Sequence, residues 1–447
     1  MNVEVIETAE LGDRSYVVSD ESAAVVIDPQ RDLDRVERVL ERVGKPVRHV
    51  LETHVHNDYV TGGYELARRL GAAYGVNGEE KVSFERNPLR PDDVITAGGL
   101  RIRAVPTPGH TDTHLAYLVV DDRGEAPAVF TGGSLLFGAI GRTDLVAQDR
   151  TDDLSRAQYR SVRRLGELPR AASVYPTHGF GSFCSGGGQT GADKSTIGEE
   201  VDNNRVFAVD DEDAFVAEFI GSLGAYPAYY AYMAPINRTG PGAADLRHPL
   251  PALTGAEVSA RLAAGQTVID LRERAEFARG HVAGALNINL DRQLATYVGW
   301  LVPFGAAVTL IADSTEQLAD ARRQLARIGY DDLAGYLGPV SEAGPPFSYE
   351  RVTFANLADG VPAEDVVLDV RRVEEYREAR IPGSVNVPIH ELRGALGTLP
   401  HKRLWVHCMS GFRAAMASSI LQTAGFDVVH VDDDFENAVT LGLSRSG

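Results

Sequence analysis

Apolar and polar positions alternate in short bursts through the first half of the chain. Runs at Ser15 to Ile27, Leu100 to Val105, His114 to Val120 and Ala128 to Phe130 are rich in β-branched and aromatic residues. Gly/Pro turns separate them, which is the pattern of strands. Asp32 to Val43 and Tyr64 to Leu70 carry apolar residues at helical spacing. Strands interspersed with helices predict a layered α/β or α+β domain. A Tyr/Pro/Gly-rich passage from Tyr226 to Pro249 breaks the rhythm and marks a boundary.

Beyond that boundary the chain repeats itself. Val268-Ile269-Asp270-Leu271-Arg272 matches Val367-Leu368-Asp369-Val370-Arg371, and Gly284 and Asn287 match Gly383 and Asn386 at the same offset. Both copies continue through a second strand and a helix to Gly-aromatic-Asp, at Gly329-Tyr330-Asp331 and Gly425-Phe426-Asp427. Two tandem α/β modules of about a hundred residues each follow.

Composition narrows the setting. A length of 447 residues suggests roughly three domains, and a 44% hydrophobic content fills several cores. The net charge of -19 argues against nucleic acid and anionic membranes as partners. No apolar run approaches the roughly 20 residues of a spanning helix, and no basic-then-apolar leader opens the chain. Two cysteines, Cys184 and Cys408, build no disulfide framework, so a cytoplasmic location is expected.

The second module carries the clearest chemistry. Arg403 to His407 reads as a buried strand and Ala414 to Thr423 as a helix, with Cys408-Met409-Ser410-Gly411-Phe412-Arg413 between them. A tight loop opening a helix turns backbone N–H groups inward, and the helix dipole adds positive potential. Both favour the thiolate, the nucleophilic form of cysteine. Asp369-Val370-Arg371, the run Ile381 to Pro388 and Cys-x-x-Gly-x-Arg closely resemble the rhodanese (sulfurtransferase) family. The resemblance implies that Cys408 carries a persulfide, cradled by the backbone of Met409, Ser410, Gly411 and Phe412, with Arg413 contributing charge. Arg371 is left between the same pocket and a salt bridge to a nearby carboxylate. In the first module Ala312 stands opposite Cys408, Thr315 opposite Gly411 and Gln317 opposite Arg413, so that copy lacks the thiol. It is expected to be structural.

The first half holds a second constellation. Thr53-His54-Val55-His56-Asn57-Asp58-Tyr59 follows the apolar run Val47 to Leu51, at a strand's C-terminal end where α/β proteins place their sites. Pro108-Gly109-His110, Phe130-Thr131-Gly132-Gly133 and Tyr175-Pro176-Thr177-His178 add to it. The set resembles the metallo-β-lactamase fold, and most its persulfide dioxygenase and glyoxalase II branch. That resemblance implies a metal held by His54, His56, His110, Asp58 and His178. Two positions depart from the family pattern: Tyr59 replaces a histidine, and Gly133 replaces a metal-binding aspartate. Loss of that carboxylate removes the two-His-one-carboxylate face that suits Fe(II). Three outcomes stay open: Fe(II) rescued by Asp58, one Zn(II) on His54, His56 and His110, or no metal. Cys184 reads as a packed loop cysteine or a sulfur relay. Tyr226, Tyr229, Tyr230 and Tyr232 read as domain-interface packing first and a substrate channel second.

Together these resemblances imply an αββα metallo-β-lactamase-like sandwich over residues 1–245. Two rhodanese-like α/β modules with parallel sheets follow, at 252–343 and 352–447. The expected activity is sulfur transfer through Cys408, from small sulfane donors such as thiosulfate or a glutathione-type persulfide to thiols. A thioester metallohydrolase and a non-catalytic sulfur carrier are the rival readings. A homo-oligomer is compatible with the sequence.

Overall fold

The computed structural model describes residues 1–122, 127–186 and 191–446. The chain divides into two compact units, one of residues 1–247 with 323–331 and one of residues 248–322 with 332–446.

Two sheets make the centre of the first unit. One runs in the order Asn2–Thr8, Asp13–Ser19, Ala24–Ile27, Val47–Leu51, Ala73–Asn77, Asn87–Leu89. The other runs Ser173–Pro176, Ala128–Gly132, Leu115–Val120, Leu100–Pro106, Val94–Ala97. Side chains alternate across each strand, so Tyr16 and Val18 face one way and Val17 the other. The inward set packs with Leu51, Ile102, Leu115, Tyr117 and Phe130 into a core between the sheets. Outward residues of the first sheet, Val17, Val26 and Val50, bury against Val36, Val39 and Leu66 of the helices Asp34–Val43 and Gly63–Leu70. Outward residues of the second, Val105, Ala116 and Val129, bury against Tyr159, Val162 and Phe215 of the helices Thr151–Leu165 and Glu212–Ser222. This is an αββα sandwich.

Two expectations change. The run Ser15 to Ile27 is two antiparallel strands rather than one. Asp20 makes the turn, its Oδ1 accepting from the amides of Ser22 and Ala23 at 2.7 Å each. The passage from Tyr226 to Pro249 is not all linker: Tyr230–Asn237 is a helix, with consequences for the site below.

The second unit holds two parallel sheets. The first orders Leu286–Asn287, Thr267–Asp270, Val308–Ile311, Leu333–Tyr336. The second orders Glu350–Val352, Val428–Val431, Leu404–His407, Val366–Asp369, Val385–Asn386. The central strands Val308–Ile311 and Leu404–His407 are buried throughout, as parallel strands covered on both faces must be. Among the described residues no helix is long and apolar enough to cross a membrane.

Candidate functional site

The histidine loop leaves the strand Val47–Leu51 and is buried from Thr53 through Gly63. Two residues of the presumed boundary hold it there. Asn237 donates to the carbonyls of His56 (3.0 Å) and Tyr59 (2.9 Å) and accepts from the Thr61 amide at 2.9 Å. The Tyr229 hydroxyl donates to the Asp58 carbonyl at 2.7 Å. Tyr229 is thus a brace of the loop, and Asn237 is a functional residue that no local signal in the sequence marks.

Hydrogen bonds at one nitrogen of each imidazole decide what the other can do. Thr53 Oγ1 donates to Asp28 Oδ2 at 2.7 Å, so it accepts from His54 Nδ1 at 2.9 Å. The lone pair of His54 is therefore on Nε2. His110 Nδ1 donates to the Arg142 carbonyl at 2.7 Å, and its buried Nε2 has no hydrogen-bond partner. His178 Nδ1 lies 2.9 Å from Asp13 Oδ1 and 3.1 Å from Asp58 Oδ2, and its Nε2 lies 3.3 Å from His54 Nε2. Two imidazole nitrogens sharing a tetrahedral Zn²⁺ stand about 3.3 Å apart, which is the spacing found. His56 turns its Nε2 to Glu52 (3.0 Å), Asp28 (3.3 Å) and Tyr59 (2.9 Å), leaving a buried Nδ1 without a partner.

The grouping differs from the expected trio. Donor atoms of His54, His56 and His178 lie within 4.8 Å of one another, as do those of His110, His178 and Cys184. His178 is common to both sets, and it also groups with Asp13 and Asp58. Asp58 Oδ2 meets His178 Nδ1 directly at 3.1 Å. Tyr59 stacks on His56 at 4.3 Å and hydrogen-bonds to it, bracing that ring. His114 is satisfied on both sides, by Thr107 Oγ1 at 2.7 Å and the Gly133 amide at 3.0 Å, and stacks under His54.

Gly133 has a steric reason. A Cβ there would stand 2.5 Å from Nε2 and 2.8 Å from Cγ of His110. The imidazole fills the space from which an aspartate at 133 would project.

Electrostatics divide the histidines. Burial, then the neighbouring imidazoles, hold His54 well below the usual imidazole range. Burial lowers His110 to about 3. Burial opposes charge at His56 and His178 too, but Asp28 and Glu52 raise His56 to about 9, and Asp58 and Asp13 raise His178 to about 10. Burial pushes Asp13 and Glu52 up to about 7. Four buried carboxylates therefore favour positive charge at this spot. Protons on His56 and His178 supply it, and a divalent cation would displace them. The open nitrogens and the carboxylate field fit such an ion.

In the second unit, Cys408 ends the strand Leu404–His407, one residue in from the exposed Met409 and Ser410. Cys408 itself is only 1% exposed. Gly411 has φ +80°, and a Cβ there would fall 2.9 Å from the Asp432 Cα, so only glycine fits. The loop is held by Phe435 N to the Met409 carbonyl (2.8 Å) and His430 Nε2 to the Gly411 carbonyl (2.9 Å). Among the described residues, no oxygen accepts from the amides of Met409, Ser410, Gly411, Phe412 or Arg413. N–H groups left open at a helix N-terminus suit an anion. Arg413 beside them is held bidentate by Glu375 at 2.6 and 2.7 Å. Arg371 is committed elsewhere, to Asp369 at 2.6 Å and the Ala379 carbonyl at 2.7 Å.

Comparison with known proteins bears on both sites. Residues 11–178 match the metallo-beta-lactamase superfamily, and residues 254–338 and 353–439 each match the rhodanese-like domain. A hydroxyacylglutathione hydrolase-like protein of Gallus gallus is 30% identical over 185 residues, 40% of this chain, and the alignment spans only 61% of that relative's length. A metallo-beta-lactamase structure from Staphylococcus aureus is 27% identical with a TM-score of 0.67, over 75% of this chain and 98% of that one. ETHE1 from Myxococcus xanthus is 29% identical with a TM-score of 0.47, over 54% of this chain and 100% of that one. The chain joins a metallo-beta-lactamase domain to two rhodanese-like domains.

The two rhodanese-like domains differ where it matters. In the first, Gln317 Oε1 accepts from the Asp313 amide at 2.8 Å, and Ser314 Oγ accepts from the Gln317 amide at 3.3 Å. Side chains of the loop thus take up two of the five amides that correspond to those open around Cys408. Yet this domain is more than a spacer. Its Tyr297 packs edge-on against Phe412 at 5.4 Å. Its Arg274 bonds Asp432 at 2.6 Å and reaches the Ser410 carbonyl at 3.4 Å. The first rhodanese-like domain therefore shapes the cysteine loop of the second.

Proposed function

We propose that this chain handles sulfane sulfur, transferring it through a persulfide on Cys408. The observation that carries the reading is the set of open amides at the helix N-terminus beside that cysteine, which suits an anionic sulfur. The Cys408 thiolate attacks the outer sulfur of thiosulfate; an S–S bond forms, and the S–S bond of the donor breaks with its electron pair leaving on sulfite. The cradle amides and Arg413 hold the resulting persulfide anion. An acceptor nucleophile, a thiolate or cyanide, then takes the terminal sulfur and returns the Cys408 thiolate.

The metallo-beta-lactamase domain would act on a thiol-bearing small molecule with one Zn(II) or Fe(II) held at His178, whose donor atom groups with that of His54 in one set and that of His110 in the other. Such an ion would supply Lewis-acid polarisation of the bound group. Asp13 and Asp58 orient His178, Thr53 orients His54, and Arg142 orients His110. With Gly133 carrying no carboxylate, an imidazole-dominated site suits Zn(II) better than Fe(II). A second reading has one observation in its favour: the curated relatives of this domain are named hydroxyacylglutathione hydrolases, which suggests thioester cleavage.

Substitution of Cys408 by Ser tests the main reading. Thiosulfate-to-cyanide transfer is expected to vanish, with bound metal and acylglutathione turnover unchanged. Transfer near the wild-type rate would remove Cys408 from the mechanism.

A further inference from the structure

Cys184 lies in the metallo-beta-lactamase domain, six positions after His178, and is fully buried. Its sulfur is within 4.8 Å of donor atoms of both His110 and His178. A thiol and an imidazole on one tetrahedral Zn²⁺ stand about 3.6 Å apart, and two imidazoles about 3.3 Å, so the set closes with a contraction of at most about 1.5 Å.

The placement is built rather than incidental. The Cys184 amide donates to Ser182 Oγ at 3.1 Å, and its carbonyl accepts from the Arg142 amide at 2.9 Å. The carbonyl of that same Arg142 accepts from His110 Nδ1 at 2.7 Å. One residue thus fixes both the cysteine and the ring of His110. Arg142 is itself anchored by Asp144 at 2.7 and 2.8 Å and by the Phe183 and Gly224 carbonyls at 3.1 and 2.7 Å. The strand Ser185–Gly186 pairs with Ile140 and Gly141, closing the loop beside the site.

A second, independent feature points to a ligand. The Nε2 of His110 is buried and without a hydrogen-bond partner. An unpartnered buried polar atom is costly, and this one lies beside a thiol. What the set lacks is an anionic donor at position 133.

We propose that Cys184 is a metal ligand of this domain, its thiolate supplying the anionic donor that Gly133 does not. The site would then be His110, His178 and Cys184, with His54 beside His178 as the further nitrogen. A thiolate among imidazoles selects Zn²⁺ or Co²⁺ over harder ions, and binding releases the thiol proton to solvent as the cation enters. The inference rests on the reading of this domain as metal-binding and deepens it.

The test uses the full chain, stripped with a chelator and titrated with Co²⁺. One Co²⁺ per chain is expected, with a near-ultraviolet thiolate-to-cobalt charge-transfer band beside the visible d–d bands. Cys184→Ser should lose the charge-transfer band and bind Co²⁺ at least about 10-fold more weakly. Cys408→Ser should keep the band, since these are the two cysteines of the chain. X-ray absorption of the zinc-loaded wild type, which depends on no variant folding, should show one sulfur at about 2.3 Å. Cobalt bound without the band, a band that survives Cys184→Ser, or a sulfur-free zinc shell overturns the ligand assignment alone. Failure of the wild type to bind either metal overturns the metal-binding reading with it. Neither result touches sulfur transfer at Cys408, which the Cys408 variant tests.

Discussion

The packing of His110 against Gly133 makes a sharp prediction about restoring a side chain there. Gly133→Ala adds a single carbon, and that carbon falls 2.5 Å from His110 Nε2 and 2.8 Å from its Cγ. Ordinary contact needs about 3.4 Å or more, so the ring must retreat by about 1 Å. It has little room to do so. Its Nδ1 is tied to the Arg142 carbonyl, its amide to Gln158 Oε1 at 3.1 Å, and the backbone of Gly141 lies close against the Nδ1 edge. Overpacking contributes about 1–3 kcal/mol, and loss of the buried Nδ1 hydrogen bond about 1–3 kcal/mol more. The expected penalty is about 2–6 kcal/mol, or about 5–20 °C in the Tm of a domain this size. The clean measurement is a double-mutant cycle, followed by denaturant and heat. With His110→Ala in place, the three ring contacts are gone, and the cost should fall to about 0.5 kcal/mol or less. Gly133→Asp should for the same reason fail to raise Fe(II) binding. A Gly133→Ala variant as stable as wild type, or one equally costly without His110, would refute the steric reasoning.

Other predictions follow from the same geometry. Glu375→Gln unties the bidentate grip on Arg413 and frees its charge for the cradle. It should lower KM for thiosulfate by about 3- to 10-fold with a loss of about 1–3 kcal/mol in stability; an unchanged or raised KM counts against Arg413 as an anion partner. Burial lowers His407 and His430 to about 4, whereas unfolded imidazoles titrate near 6.5. The unfolded chain thus binds more protons between those values, and stability falls as pH drops. Each residue should withdraw about 2 kcal/mol between pH 6.5 and 5, visible in urea titrations of the rhodanese-like unit; a flat profile would show that these rings protonate in the folded state. Asn237→Ala removes three hydrogen bonds from the histidine loop and should weaken Zn²⁺ or Co²⁺ binding about 10- to 100-fold. Unaltered affinity in a competition titration would show that the loop keeps its shape without them.

The sequence determined whatever rests on local pattern. Alternating Tyr16, Val17 and Val18 dictate which residues enter the inter-sheet core and which face the helices, because side-chain direction has a period of two. The in-register repeat around Asp270 and Asp369 fixes two parallel modules. Strand, Cys408 loop and helix are contiguous, so their order is legible in the sequence. The tertiary structure decided the rest, because those partners are far apart in the chain. His178 lies 124 residues from His54, and Asn237 lies 181 residues from His56. No periodicity carries information over such separations; only the closing of the two sheets brings the residues together. Gly133 illustrates the limit. In the sequence it is a missing carboxylate, whereas in the fold it is the space occupied by the His110 ring. Gln317 illustrates it again, since whether a loop amide is free or taken depends on how a side chain folds back, which composition alone does not dictate.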